Sequence, residues 1–135
     1  MIMRLPYLIL GAALIGAAMP VIAAQRDNKA GEAALAKAIA GRVAGAPVTC
    51  LSQPTIGSSQ VIDGTAIVYE VGGTLYVNRP RIGAESLDSD DILVSRTTES
   101  QLCSLDSIRL LDNASRIEHG FVTLGEFVPY TKPKS

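Results

Sequence analysis

Two turn dipeptides, Asp63-Gly64 and Gly72-Gly73, constrain this chain more than any other feature. They divide residues 61–80 (VIDGTAIVYEVGGTLYVNRP) into three β-type runs. A two-residue type I′ hairpin loop needs positive φ at both central positions, which Gly, Asn and Asp tolerate best. The spacing predicts a three-strand antiparallel meander. With two residues in each loop, counting sets the register. Tyr69 falls opposite Tyr76 and Val68 opposite Val77 around the second turn. Ile62 falls opposite Thr65 and Val61 opposite Ala66 around the first. Side chains alternate between faces. One predicted face carries Val61, Ala66, Val68, Leu75 and Val77; the other carries Ile62, Ile67, Tyr69, Val71 and Tyr76. Both are apolar, so the meander is expected to be covered on both sides or curled into a small barrel.

The N-terminus is set apart before the fold is read. Residues 1–24 have the pattern of a cleaved signal peptide: Arg4 in a short leading segment, an apolar run over 5–18, the Met19-Pro20 break, then Val21-Ile22-Ala23-Ala24 with small residues at the cleavage spacing. The run is short of the about 20 residues that cross a bilayer, so no stable membrane span is expected after cleavage. Removing Arg4 leaves 11 basic and 13 acidic groups, a net charge of −2. That balance excludes binding to nucleic acid through a concentrated basic face. Two cysteines remain, Cys50 and Cys103. An even count in an exported chain reads as a disulfide, worth roughly 4 kcal/mol for a loop of about 54 residues. The rival reading, a catalytic thiol, needs a nearby base, and the only histidine is His119.

Residues 25–46 are alanine-rich and read as a helical arm with Asn28 as N-cap and Gly41 or Gly45 at its end. Its large apolar residues, Leu35, Ile39 and Val43, form one narrow stripe, so weak docking is expected. Residues 47–130 read as the β domain. Strand candidates follow at 48–51, 92–97, 101–104 and 107–111, and a last pair or a strand bulged at Gly125 at 121–128. Pro129 and Pro133 mark a fraying tail, with 131–135 disordered. The fold class is mainly β: a small antiparallel barrel or sandwich of about seven short strands behind an N-terminal helix.

The segments Cys50-Leu51-Ser52, 61–67 (VIDGTAI), 73–79 (GTLYVNR), 101–106 (QLCSLD) and 124–129 (LGEFVP) span most of this domain. In them the chain resembles an uncharacterised family of small exported proteins of Gram-negative bacteria, a domain of unknown function. The resemblance implies a periplasmic or secreted β domain and supplies no catalytic residue. Family members often carry a second cysteine pair, near positions 84–87 and 121–123 here, where this chain has none.

Catalytic motifs are missing: no Gly-rich phosphate loop, CxxC, HExxH or G-x-S-x-G occurs, and no cofactor is expected. Asp88, Asp90 and Asp91 lack the glycine and terminal glutamate of a Ca²⁺ loop and read as a solvated loop. Asn113-Ala114-Ser115 is a glycosylation sequon, relevant only in a eukaryotic secretory pathway. Arg79, Arg96, Asp106 and Glu126 form the candidate polar site. The leading expectation is a non-enzymatic domain binding an envelope protein or a small ligand through sheet edges or the loop 79–91. The alternatives are a hydrolase using Asp106 and Glu126, which needs the two carboxylates about 5–9.5 Å apart, and an inhibitor of an envelope enzyme. The bland readings are that Asp106 caps a turn and Glu126 pairs with an arginine.

Overall fold

The computed structural model describes residues 28–96 and 99–134; the signal-peptide reading lies outside them. In chain order they form helix α1 (Lys29–Ala38) and ten strands: β1 (Val43–Ala44), β2 (Cys50–Ser52), β3 (Ser58–Ile62), β4 (Ala66–Val71), β5 (Thr74–Asn78), β6 (Asp91–Ser95), β7 (Gln101–Cys103), β8 (Ser107–Asp112), β9 (Glu118–Thr123) and β10 (Phe127–Thr131).

The meander forms, with one of its two turns as predicted. Gly72 and Gly73 both take positive φ, 56° and 83°, and β4 meets β5 with Tyr69 opposite Tyr76 and Val68 opposite Val77. At the first turn only Gly64 is left-handed, at φ 59°. The loop takes in a third residue, Thr65, whose N–H donates to the Ile62 carbonyl at 3.0 Å. The Thr65 hydroxyl donates to the Asp63 carbonyl and accepts from Asn28 Nδ2, both at 2.8 Å. Those local bonds compete with the ladder and hold Thr65 out of it. Ile62 therefore lies opposite Ala66, and Val61 opposite Ile67. A one-residue slip moves every side chain of a strand to the other face: Val61 joins Ile67 and Tyr69, and Ile62 joins Ala66 and Val68.

Both faces are covered, as their apolar character requires. Three antiparallel sheets form: β1-β10-β5-β4-β3, β6-β8-β9, and the ribbon β2-β7. The two larger ones pack in a sandwich-like arrangement with no closed barrel. Val61, Ile67 and Tyr69 on one side meet Ile108, Leu110 and Val122 on the other, with Leu51 and Leu102 from the ribbon and Phe127 fully buried among them. The Tyr69 ring meets Phe127 edge-on at 5.8 Å, and burial pushes the Tyr69 phenol pKa well up.

Helix α1 covers the other face and is no loose arm. Asn28 caps it, its Oδ1 accepting from Gly31 N–H at 3.1 Å. Leu35 is 2% exposed against Ile62, Ala66, Val68 and Val77. The narrow stripe suffices because the sheet offers it a flat apolar surface and polar ties fix the N-terminal half. Asn28 Nδ2 donates to the Asp63 carbonyl at 2.8 Å, and Glu32 takes both Arg79 guanidinium nitrogens at 2.6 and 2.9 Å. Val43 leaves the stripe for β1 and is exposed.

The disulfide joins Cys50 and Cys103, which face each other in the β2-β7 ribbon. The next pair is bridged by Ser104 N–H to the Thr49 carbonyl at 2.7 Å. The cysteines thus occupy a non-hydrogen-bonded position, where opposed residues approach most closely.

The C-terminal stretch differs from expectation. Residues 121–128 divide at 124–126 into β9 and β10, which lie in different sheets, and β10 continues to Thr131. Pro129 is tolerated there because its carbonyl accepts from Gly45 N–H at 2.7 Å on the side of the short strand β1. Its missing N–H would face that same margin, so the β10-β5 ladder loses nothing.

Candidate functional site

The four polar residues singled out in the sequence are placed in separate surroundings. The Arg79 guanidinium is held by Glu32, and each sharpens the other's charge: the bidentate hydrogen bond lowers the Glu32 pKa and raises that of Arg79. Asp106 caps its turn, Oδ2 accepting from Cys103 N–H at 2.7 Å. Glu126 is exposed in the crossover, and Arg96 is exposed just past β6. Among the described residues no hydrogen bond or ion pair joins any two of the four, and Glu126 pairs with no arginine.

Loop 79–91, one of the expected contact surfaces, is also the structural crossover between the sheets. Arg81 N–H donates to the Thr123 carbonyl at 2.8 Å and Thr123 N–H to the Ile82 carbonyl at 3.0 Å. Gly83, at φ 85°, packs so closely on the Phe121 carbonyl that a Cβ would sit 2.4 Å from it. Leu87 is buried in the core. Arg79, at the start of the loop, pairs with Glu32 of the helix.

This loop decides which sheet edges stay open. Four edge strands bound the two larger sheets: β1 and β3 in one, β6 and β9 in the other. An edge strand presents unpaired N–H and C=O groups, which proteins usually shorten, twist away or cover. Edge β9 is covered by Arg81 and Ile82, and β1 is two residues long. Among the described residues, nothing covers edges β3 and β6, each five residues long. They are tied at one end, where Gly64 N–H donates to the Leu87 carbonyl at 2.9 Å and Asp63 Oδ1 accepts from Ser89 N–H. From there they flank a cleft of about 540 Å³, walled by Ser59, Gln60 and Val61 on one side and by Ser89, Asp91, Ile92 and Leu93 on the other. Among the described residues no backbone hydrogen bond joins 59–61 to 91–93. The volume is that of a ligand site, yet the walls mix backbone edges and the polar Ser59, Gln60, Ser89 and Asp91 with Val61, Ile92 and Leu93, rather than the mainly apolar lining of a small-molecule pocket.

The lip carries the only histidine. Register along β9 shifts between Leu110, opposite Gly120, and Leu111, opposite Glu118. His119 is the extra residue of that bulge, a device that re-aims a side chain. Its Nε2 lies 2.6 Å from Asp91 Oδ1, whose side chain is 3% exposed. Chiefly the hydrogen bond to Asp91, with the charges of Asp91, Asp112 and Asp88, raises the imidazole pKa above its ordinary 6.5, outweighing the desolvation that lowers it. A raised folded value means the pair's stabilisation is complete below the unfolded pKa and fades as pH rises through the folded one. An NMR titration of His119 should give a midpoint above 6.5 that falls back in Asp91→Asn; a wild-type midpoint at or below 6.5 contradicts the pairing.

Among the described residues no group of three His, Cys, Asp or Glu side chains is arranged to hold a metal, and no helix is long and apolar enough to cross a membrane. No family model, curated protein or solved structure matches the chain. Sequence reasoning missed the β3/β6 cleft and the Asp91–His119 pair. A polar run, Ser58-Ser59-Gln60, before a hydrophobic hairpin was the available mark of an edge strand.

Proposed function

We propose that this is an exported, non-enzymatic binding domain that takes an extended segment of a partner protein as an added strand between β3 and β6. The observation that carries the reading is the pairing of two open strand edges across one cleft, in a fold whose remaining edges are short or covered. Strand addition draws affinity from main-chain hydrogen bonds and specificity from alternate side-chain contacts. The Cys50–Cys103 disulfide and the N-terminal pattern support an oxidising compartment, with the periplasm the compartment the family resemblance favours.

Selection of binders from a library of unstructured peptides, followed by amide hydrogen exchange on the complex, tests the reading. Binders should slow exchange of the outward amides in 59–61 and 92–94 and leave β5 unchanged. Binders that consistently protect other surfaces would overturn it.

A further inference from the structure

The tied end of the cleft is strongly acidic. Asp63, Asp88 and Asp90 are exposed there, and Asp91 lines the wall. Backbone bonds fix three of these carboxylates in place: Asp63 accepts from Ser89 N–H, Asp88 Oδ1 from Asp90 N–H at 3.0 Å, and Asp91 Oδ2 from Asp88 N–H at 2.9 Å. Asp112 lies directly opposite Asp91 across the β6-β8 ladder. His119 stands at this end as well, and it is already held by Asp91. The other end is different: Arg96 is exposed just beyond β6, and Glu70 beside the start of β3 takes the Ser58 hydroxyl at 3.0 Å. The cleft is thus negative where it is closed and mixed in charge where it is open.

We infer that the cleft between β3 and β6 takes an extended peptide segment carrying lysine or arginine at the end that reaches the exposed carboxylates of Asp63, Asp88 and Asp90. The inference rests on the strand-addition reading above and names its partner's chemistry. Each inserted residue satisfies backbone groups on either flanking edge, and the terminal cation meets carboxylates already oriented for it. Complementary charge of this kind fixes register and speeds encounter. A second copy of this chain is the poorer occupant. Its own open edges, Ser58–Ile62 and Asp91–Ser95, carry no lysine or arginine, and the second brings a further aspartate.

Three synthetic ten-residue peptides test this on the oxidised full domain. All alternate valine and serine. One ends in two lysines, one in two glutamates, and one is the lysine peptide with alternate backbone nitrogens methylated. Affinity is read by fluorescence anisotropy and location by amide exchange. The lysine peptide should bind at 59–61 and 92–94 at least about tenfold tighter than the glutamate peptide. The advantage should shrink from 50 to 500 mM salt, because exposed charges are screened. Asp90→Asn, which removes a carboxylate that holds no backbone bond in the turn, should weaken the lysine peptide by about two- to fivefold. Equal affinity of the lysine and glutamate peptides at the cleft overturns the charge inference and leaves strand addition standing. Binding of the methylated peptide as tight as the unmethylated one overturns strand addition and the inference with it. Failure of the lysine peptide to protect the cleft amides, while library binders do protect them, overturns the inference alone.

Discussion

Replacing Cys50 and Cys103 together by alanine is expected to cost about 2–5 kcal/mol of folding stability. Two effects point the same way. The bridge closes a sequence separation of 53 residues, so its loss returns a large loop entropy to the unfolded chain. It also clamps a ribbon that has little else to hold it. Strands β2 and β7 are three residues each, and an isolated two-stranded ribbon is marginal in water. Yet this ribbon delivers Leu51 and Leu102 to the core, at 6% and 4% exposure. Urea unfolding of the double variant beside the oxidised wild type should show a lower midpoint, and reduced wild type should shift by a similar amount. A midpoint unchanged within about 0.5 kcal/mol would mean that core contacts alone hold the ribbon.

What the sequence made legible was local. Gly72-Gly73 specifies its own turn, so the register of β4 on β5 could be counted. Asp63-Gly64 looks equivalent, but Thr65 is held by Asn28, 37 residues away in sequence, and no local rule reports such a contact. The same holds for the helix: its stripe reads as weak until the Arg79–Glu32 pair and the waiting sheet face are known. Asp106 and Arg79 were chosen for their chemistry, and each is occupied in structure, one capping a turn and the other pinning α1. The cleft escaped because main-chain groups build it. Residue types mark side-chain chemistry, whereas an unpaired N–H on β3 or β6 is a property of strand order. Strand order depends on pairings such as β10 with β5, between segments about 50 residues apart.

The buried Asn78 is where strand order is enforced, and its replacement should be as damaging as loss of the disulfide. Asn78 is fully buried. Its Nδ2 donates to the Gly125 carbonyl at 2.8 Å and its Oδ1 accepts from Gly125 N–H at 2.9 Å. Gly125 lies in the crossover where the chain leaves β9 for the other sheet, and a Cβ there would come within 2.4 Å of the Arg79 carbonyl. No side chain fits, and the crossover backbone has no strand partner at this point. Asn78 supplies both missing bonds. Asn78→Ala should leave a buried N–H and C=O unpaired, at about 1–3 kcal/mol each, for a total near 2–6 kcal/mol. Asn78→Asp separates hydrogen bonding from packing. Ionised, it sets a carboxylate oxygen against the Gly125 carbonyl with no donor between them; protonated, it restores both bonds. Burial and that repulsion should raise its folded pKa above the ordinary aspartate value of about 3.9. Stability of Asn78→Asp relative to wild type should therefore be recovered below about pH 4 and lost as pH rises through the folded value. Urea midpoints for wild type and both variants at pH 4 and pH 7 decide the matter. A pH-independent gap for Asn78→Asp, or a cost below about 1 kcal/mol for Asn78→Ala, would show that the crossover holds its path without this side chain.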